Sequence, residues 1–118
     1  MIGRLNCPVL DCPEPAELAR FYSELLGATV VRNDPDWVTI RDARGWLVSF
    51  QQSPDYRPPH YPDPYASQQI HFDVRVDDID KAEQAVLAIG ATRLDGEGHD
   101  YRVFADPVGH PFCLVWDN

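Results

Sequence analysis

Three side chains that can do chemistry stand at alternate positions in the stretch Gln69-Ile70-His71-Phe72-Asp73-Val74-Arg75-Val76-Asp77-Asp78. Phe72, Val74 and Val76 interleave with His71, Asp73 and Arg75, the period of a strand with one face on a core. The other face then carries an imidazole, a carboxylate and a guanidinium side by side. Asp73 beside His71 can orient the ring or act as a base, a pairing suited to proton transfer. Arg75 can clamp a carboxylate ligand, because its planar fork matches that geometry. The bland alternative is a solvated strand face, or a satisfied polar network in a cavity wall. Asp77 and Asp78 end the strand and suit a helix cap.

Cysteine is the other chemically active residue type. Cys7, Cys12 and Cys113 are odd in number and show no CxxC spacing. With no signal-peptide pattern at the N-terminus, they read as reduced thiols in a cytoplasmic protein. The net charge is −9 and the pI near 4.6, which argues against nucleic acid and anionic lipid as partners. No apolar run is long enough to span a bilayer, so no membrane partner is expected. No GxGxxG, Walker loop, GxSxG or HExxH occurs, so nucleotide cofactors and common hydrolase chemistry gain no support. The 118 residues suit one compact domain with a real core.

The elements that must position these residues can be read in order. Leu5 to Cys12 is strand-like, and Pro8 consigns it to an edge or a bulge. From Pro15 to Leu26, Leu18, Phe21, Tyr22, Leu25 and Leu26 follow helical spacing, with Pro15 suited to the first turn and Gly27 to the stop. Strands are expected at Thr29–Arg32, Trp37–Arg41 and Trp46–Gln52. Residues 53–67 carry five prolines among Tyr56, Tyr61 and Tyr65, which reads as an extended connector or a flap over a pocket. The strand Gln69–Val76 leads into a helix with Ile79, Ala82, Val86 and Ile89 on one face, ending at Gly90. Strands at Ala91–Leu94, Tyr101–Ala105 and Pro111–Trp116 follow, with Gly96-Glu97-Gly98 as one of the turns between them. His110 sits in a turn, and His60 and His99 read as exposed loop residues.

The second half thus repeats the first. His71 falls on Cys7, Asp78 on Glu14 and Gly109 on Gly45 at one common spacing of 64 residues. Each half reads strand-helix-strand-strand-strand and is too small to bury its sheet alone. The expected fold is α+β, two βαβββ modules forming a concave mixed sheet. Module 1 covers about residues 1–52, the linker 53–67 and module 2 about 68–118 of a single domain.

Three segments carry a resemblance to a known family: Ala19-Arg20-Phe21-Tyr22-Ser23-Glu24-Leu25-Leu26-Gly27, His71 to Asp78, and Asp106-Pro107-Val108-Gly109-His110-Pro111-Phe112-Cys113-Leu114. The pattern resembles the vicinal oxygen chelate superfamily, which includes glyoxalase I, bleomycin and fosfomycin resistance proteins, and extradiol dioxygenases. It is most similar to the small glyoxalase-like single-domain proteins. The resemblance implies a metal centre with one ligand from the first and one from the last strand of each module. His71 matches one such position. Cys7 and Cys113 occupy two others, and Ser49, or Gln51 on a two-residue slip, falls on the fourth. Hard divalent ions want oxygen and imidazole ligands, so this set departs from what they need. Cys7, His71 and Cys113 make a Cys₂His set that zinc accepts; equally, the cysteines serve as small hydrophobes and His71 as a hydrogen-bonded cavity residue.

Two functions from different classes follow from the resemblance. One is a binder of small molecules, sequestering an antibiotic or metabolite, built as a homodimer and needing no metal. The other is a lyase, isomerase or dioxygenase acting on a small oxygenated substrate through His71 and a divalent metal, zinc rather than a hard ion. Expected catalytic residues are His71 and Asp73. Expected ligand contacts are Asp11, Ser49, Gln51, Arg75, Trp46 and Tyr56, and expected metal ligands His71, Cys7 and Cys113.

Overall fold

The computed structural model describes residues 1–117. The chain divides into two compact units, one from Met1 to Tyr56 and one from Arg57 onward. Unit 1 holds β1 (Val9–Cys12), α1 (Pro15–Leu26), β2 (Thr29–Asp34), β3 (Trp37–Arg41) and β4 (Leu47–Gln52). Its sheet has the order β1-β4-β3-β2, with β1 parallel to β4 and the other pairs antiparallel. The apolar stripe of α1 buries Leu18, Phe21 and Tyr22, and Tyr22 stacks on Phe50 of β4 at 5.6 Å. Gly27 ends the helix in the left-handed region (φ 64°), where its N–H reaches the Ser23 carbonyl. Burying aromatic and aliphatic side chains of this size is worth about 1.5–3 kcal/mol each, so this face holds the unit together.

Unit 2 repeats the plan with β5 (Phe72–Arg75), α2 (Ile79–Ala88), β6 (Thr92–Glu97), β7 (Tyr101–Ala105) and β8 (Pro111–Val115), in the order β5-β8-β7-β6. The Asp78 carboxylate accepts the Lys81 N–H and caps α2 as expected. Phe104 and Phe112, both fully buried, stack at 5.6 Å beneath the helix. Helix α2 turns the expected side inward, yet only Val86 is fully buried. Guanidinium groups do much of the fastening: Arg93 and Arg102 reach Glu83 at 3.1 and 3.4 Å, and Arg93 lies over the Phe104 ring at 5.4 Å.

The 64-residue repeat holds at the level of register. Val9 pairs with Ser49 in unit 1 as Asp73 pairs with Cys113 in unit 2, and Thr39 faces Ser49 as Val103 faces Cys113. The turns obey the same spacing. The Asp42 carboxylate accepts the N–H groups of Arg44 and Trp46, and the Asp106 carboxylate accepts those of Val108 and His110.

Several boundaries differ from the sequence reading. β1 starts at Val9 rather than Leu5, although the Pro8 carbonyl still accepts the Ser49 N–H, and β1 is an edge strand as its proline required. β2 runs on to Asp34. β5 spans only Phe72–Arg75, and its edge position leaves Phe72 and Val74 half-buried instead of in the deep core. Gly96 and Glu97 belong to β6 rather than to a turn, because the register shift between Arg93 and Glu97 absorbs them. The proline-tyrosine stretch divides between the units: Ser53 to Tyr56 stays with unit 1, and the remainder packs on unit 2. Pro58 lies against the Gly109 turn so closely that a Cβ at Gly109 (φ 102°) would sit 2.7 Å from the Pro58 Cβ. Among the described residues, no helix is long and apolar enough to cross a membrane.

Candidate small-molecule site

Strand parity builds the site in unit 2. Phe112 and Leu114 of β8 point under the helix, so Cys113 and Val115 point to the opposite, open face. The β5–β8 register sets Asp73 beside Cys113 and Arg75 beside Val115 on that face. His71, one residue before β5, lies on the same side: its Nε2 is 3.1 Å from Asp73 Oδ1. β7 contributes Tyr101 and Val103, the partners of Val115 and Cys113. Together these groups line a cavity of about 500 Å³, which Tyr61 of the proline-tyrosine stretch and Trp116 also wall.

The cavity is chemically two-sided. Tyr61, Tyr101, Val103, Val115 and Trp116 make up its apolar part, while Asp73, Arg75, Asp100 and Asp117 bring charge and His71 an imidazole. Arg75 Nη1 donates to Asp117 Oδ1 at 2.6 Å. The Cys113 thiol is pushed up to about 11, first by burial, then by the charge of Asp73 and by a hydrogen bond with that carboxylate. At neutral pH it is therefore a protonated thiol that donates to Asp73. Asp73 is the hub of the polar side, held by His71 and by Cys113.

His71 Nε2 or Nδ1, an Asp73 oxygen and Cys113 Sγ all lie within 4.8 Å of one another, close enough to share one ion. A nitrogen, an oxygen and a sulfur donor suit zinc and not a hard cation. Within unit 2, Asp73 thus stands beside His71 and Cys113 as a third donor.

The corresponding face of unit 1 carries a run of hydrogen-bonded side chains. Cys7 Sγ is 3.3 Å from Ser49 Oγ, Ser49 Oγ is 2.7 Å from Thr39 Oγ1, and the Trp37 indole N–H donates to Thr39 Oγ1 at 3.1 Å. Ser49 and Thr39 are buried. Gln51 Nε2 donates to Asp11 Oδ1 at 3.3 Å along the same face. Within unit 1, then, Cys7 meets Ser49, and Asp11 meets Gln51. Trp46 is exposed in the turn before β4, and Tyr56 ends unit 1 with its N–H on the Ser53 carbonyl; neither lines the unit 2 cavity. The sequence reading did not place Tyr101, Asp100 or Asp117 at the site, and it reached Tyr61 only through the flap alternative. Tyr101 was within reach, since it lies 64 residues after Trp37 on the same register.

Two βαβββ units of identical strand order, with an open polar face, define an α+β protein of the glyoxalase fold. The model of the glyoxalase-like domain family matches residues 8–115, across both units, and the chain belongs to that family. Among solved structures, the chain is similar to the genomically encoded fosfomycin resistance protein FosX from Listeria monocytogenes, with 14% identity and a TM-score of 0.73 over 100% of this chain and 96% of that one. It is also similar to a glyoxalase/bleomycin resistance protein/dioxygenase family enzyme from Burkholderia phytofirmans PsJN, with 15% identity and a TM-score of 0.71, covering 92% and 94% of the two chains. A glyoxalase-related enzyme from Fulvimarina pelagi gives 17% identity and a TM-score of 0.68 over 98% and 89%. At these identities the likeness is one of fold. No curated protein matches the chain by sequence.

Proposed function

We propose that the protein binds a small organic molecule in the unit 2 cavity, on the open face of β5, β8 and β7. The observation that carries this reading is the cavity itself: about 500 Å³, with aromatic and aliphatic residues on one side and His71, Asp73 and Arg75 on the other. That volume is in the range of small-molecule sites, and the lining is more polar than apolar, which suits a ligand with a polar end as well as an apolar body. In this reading Tyr101, Trp116 and Val103 cover the apolar part of the ligand, and His71 and Arg75 orient its polar end.

The state of Cys113 favours binding over covalent turnover. A thiol nucleophile works as its thiolate and needs a lowered pKa; that of Cys113 is raised to about 11. His71, Asp73 and Cys113 instead satisfy one another by hydrogen bonds. A second reading, a metal-dependent enzyme, is favoured by the three donor atoms within 4.8 Å. His71, Asp73 and Cys113 would hold the ion, and zinc would supply Lewis-acid chemistry at a water or a substrate oxygen. Cys113 must then give up the proton it shares with Asp73.

One preparation tests both readings. A screen of neutral aromatic fragments by ligand-observed NMR should find binders that Val115→Trp, which fills the cavity, displaces. Elemental analysis of the same protein, purified without added metal, should give less than one zinc per chain. Fragment binding indifferent to Val115→Trp would remove the binding reading, and stoichiometric zinc lost on His71→Ala would establish the second.

A further inference from the structure

Arg75 and Asp117, both among the residues that line this cavity, form an ion pair at its exposed edge. Arg75 comes from β5, and Asp117 lies two residues beyond β8. Only Nη1 is engaged, at 2.6 Å from one carboxylate oxygen, so among the described residues the rest of the guanidinium fork has no partner. The Asp117 side chain is 93% exposed and that of Arg75 65%. Exposed pairs of this kind add little to folding and exchange readily.

We infer that Arg75 anchors the carboxylate of a small ligand, and that Asp117 holds the same anchor as an intramolecular competitor. This rests on the cavity being the ligand site. The charge balance supports an exchange and opposes simple addition. An anion added to the cavity would meet Asp73, Asp100 and Asp117 against one guanidinium. A ligand carboxylate that displaces Asp117 leaves the number of negative charges at Arg75 unchanged, and Asp73 is already engaged by His71 and Cys113. A carboxylate on Arg75, in β5, has the apolar wall of Val103, Tyr101 and Val115 across the sheet to receive the rest of the molecule. The class this fits is a small monocarboxylate with an aromatic or branched apolar body. Its apparent affinity is lowered by the fraction of time that Asp117 occupies Arg75.

Benzoate is the probe and benzamide its neutral isostere, titrated by NMR into the full chain. Removing an exposed competitor of this strength should matter modestly, so Asp117→Asn should tighten benzoate about three- to fivefold. Losing a charge-assisted, fork-shaped anchor should matter more, so Arg75→Gln should weaken benzoate about tenfold or more. Benzamide should respond to neither. Arg75→Lys keeps the charge without the fork and should also lose most of the benzoate affinity, which guards against an unfolded Arg75→Gln protein. Benzoate binding that Asp117→Asn leaves unchanged or weakens overturns the inference, as does failure of benzoate to bind the Asp117→Asn protein at all. In either case the cavity reading survives if benzamide binds and Val115→Trp displaces it, and falls with the inference if it does not.

Discussion

Replacing Asp73 with Asn should change the acidity of a thiol on the neighbouring strand, and the size of the change can be worked from the site. Cys113 is held at about 11 from an ordinary value of 9.0 by burial first, and by the charge and hydrogen bond of Asp73 after it. Asp73→Asn removes the charge and weakens the hydrogen bond, but leaves the burial. The thiol should therefore fall part of the way towards 9.0. The thiolate fraction at pH 8 then rises, and alkylation speeds up with it. Iodoacetamide labelling across pH 7–10 on chelator-treated protein, with the Cys113 peptide followed by mass spectrometry, separates this thiol from Cys7 and Cys12. His71→Ala should have a smaller effect, since His71 meets Asp73 and not the raising of the thiol. An Asp73→Asn protein that labels at the wild-type rate would refute the coupling and remove Asp73 as the hub of the site.

Four other outcomes are expected. Phe112→Ala should cost about 3–5 kcal/mol, the range for a truncated core aromatic, because Phe112 is fully buried and stacked on Phe104. His71→Ala should cost at most about 1–2 kcal/mol, since its ring is exposed on the cavity side and loses one hydrogen bond; urea midpoints compare the two. The raised thiol also makes stability pH-dependent: the folded state holds the Cys113 proton more tightly, so this contribution is complete below pH 9 and is lost as pH rises through about 11. Wild type should therefore lose more stability than Cys113→Ser over that window, measured by urea unfolding at fixed ionic strength. β2 is an edge strand exposed along its whole length, with Val30 and Val31 on the surface, and a second copy is expected to cover such an edge. Sedimentation at micromolar concentration should give twice 13.4 kDa; a single species of 13.4 kDa would contradict it.

What was legible in the sequence followed from local rules. Pro15 at the first turn and Gly27 at the left-handed stop bracket α1 at the bounds the periodicity predicts, and β3 and β7 also fall where alternation puts them. The repeat spacing was legible because both halves place turn aspartates and glycines identically, at Asp42 and Gly45, and at Asp106 and Gly109. The depth of Phe72 was not, since alternation gives the face of a strand but not its place at a sheet edge. Nor was the bulge that draws Gly96 into β6, because a glycine pair signals a turn and a bulge equally well. Asp73 and His71 were visible as one polar face. The partners that complete the cavity come from β7, β8 and the proline-tyrosine stretch, and only tertiary structure joins those to β5. The same holds for Cys113: its pairing with Asp73 is a matter of parallel register, which no local pattern carries.

The central claim is that ligand binding belongs to the open face of unit 2. Amide chemical-shift mapping with a fragment that binds the protein tests this most directly. The account predicts that the largest shifts cluster at Asp73, Arg75, Tyr101, Val103, Cys113 and Trp116, and that Val115→Trp abolishes them. Shifts centred instead on Thr39, Ser49 and Gln51 of unit 1, or spread without a focus, would contradict it.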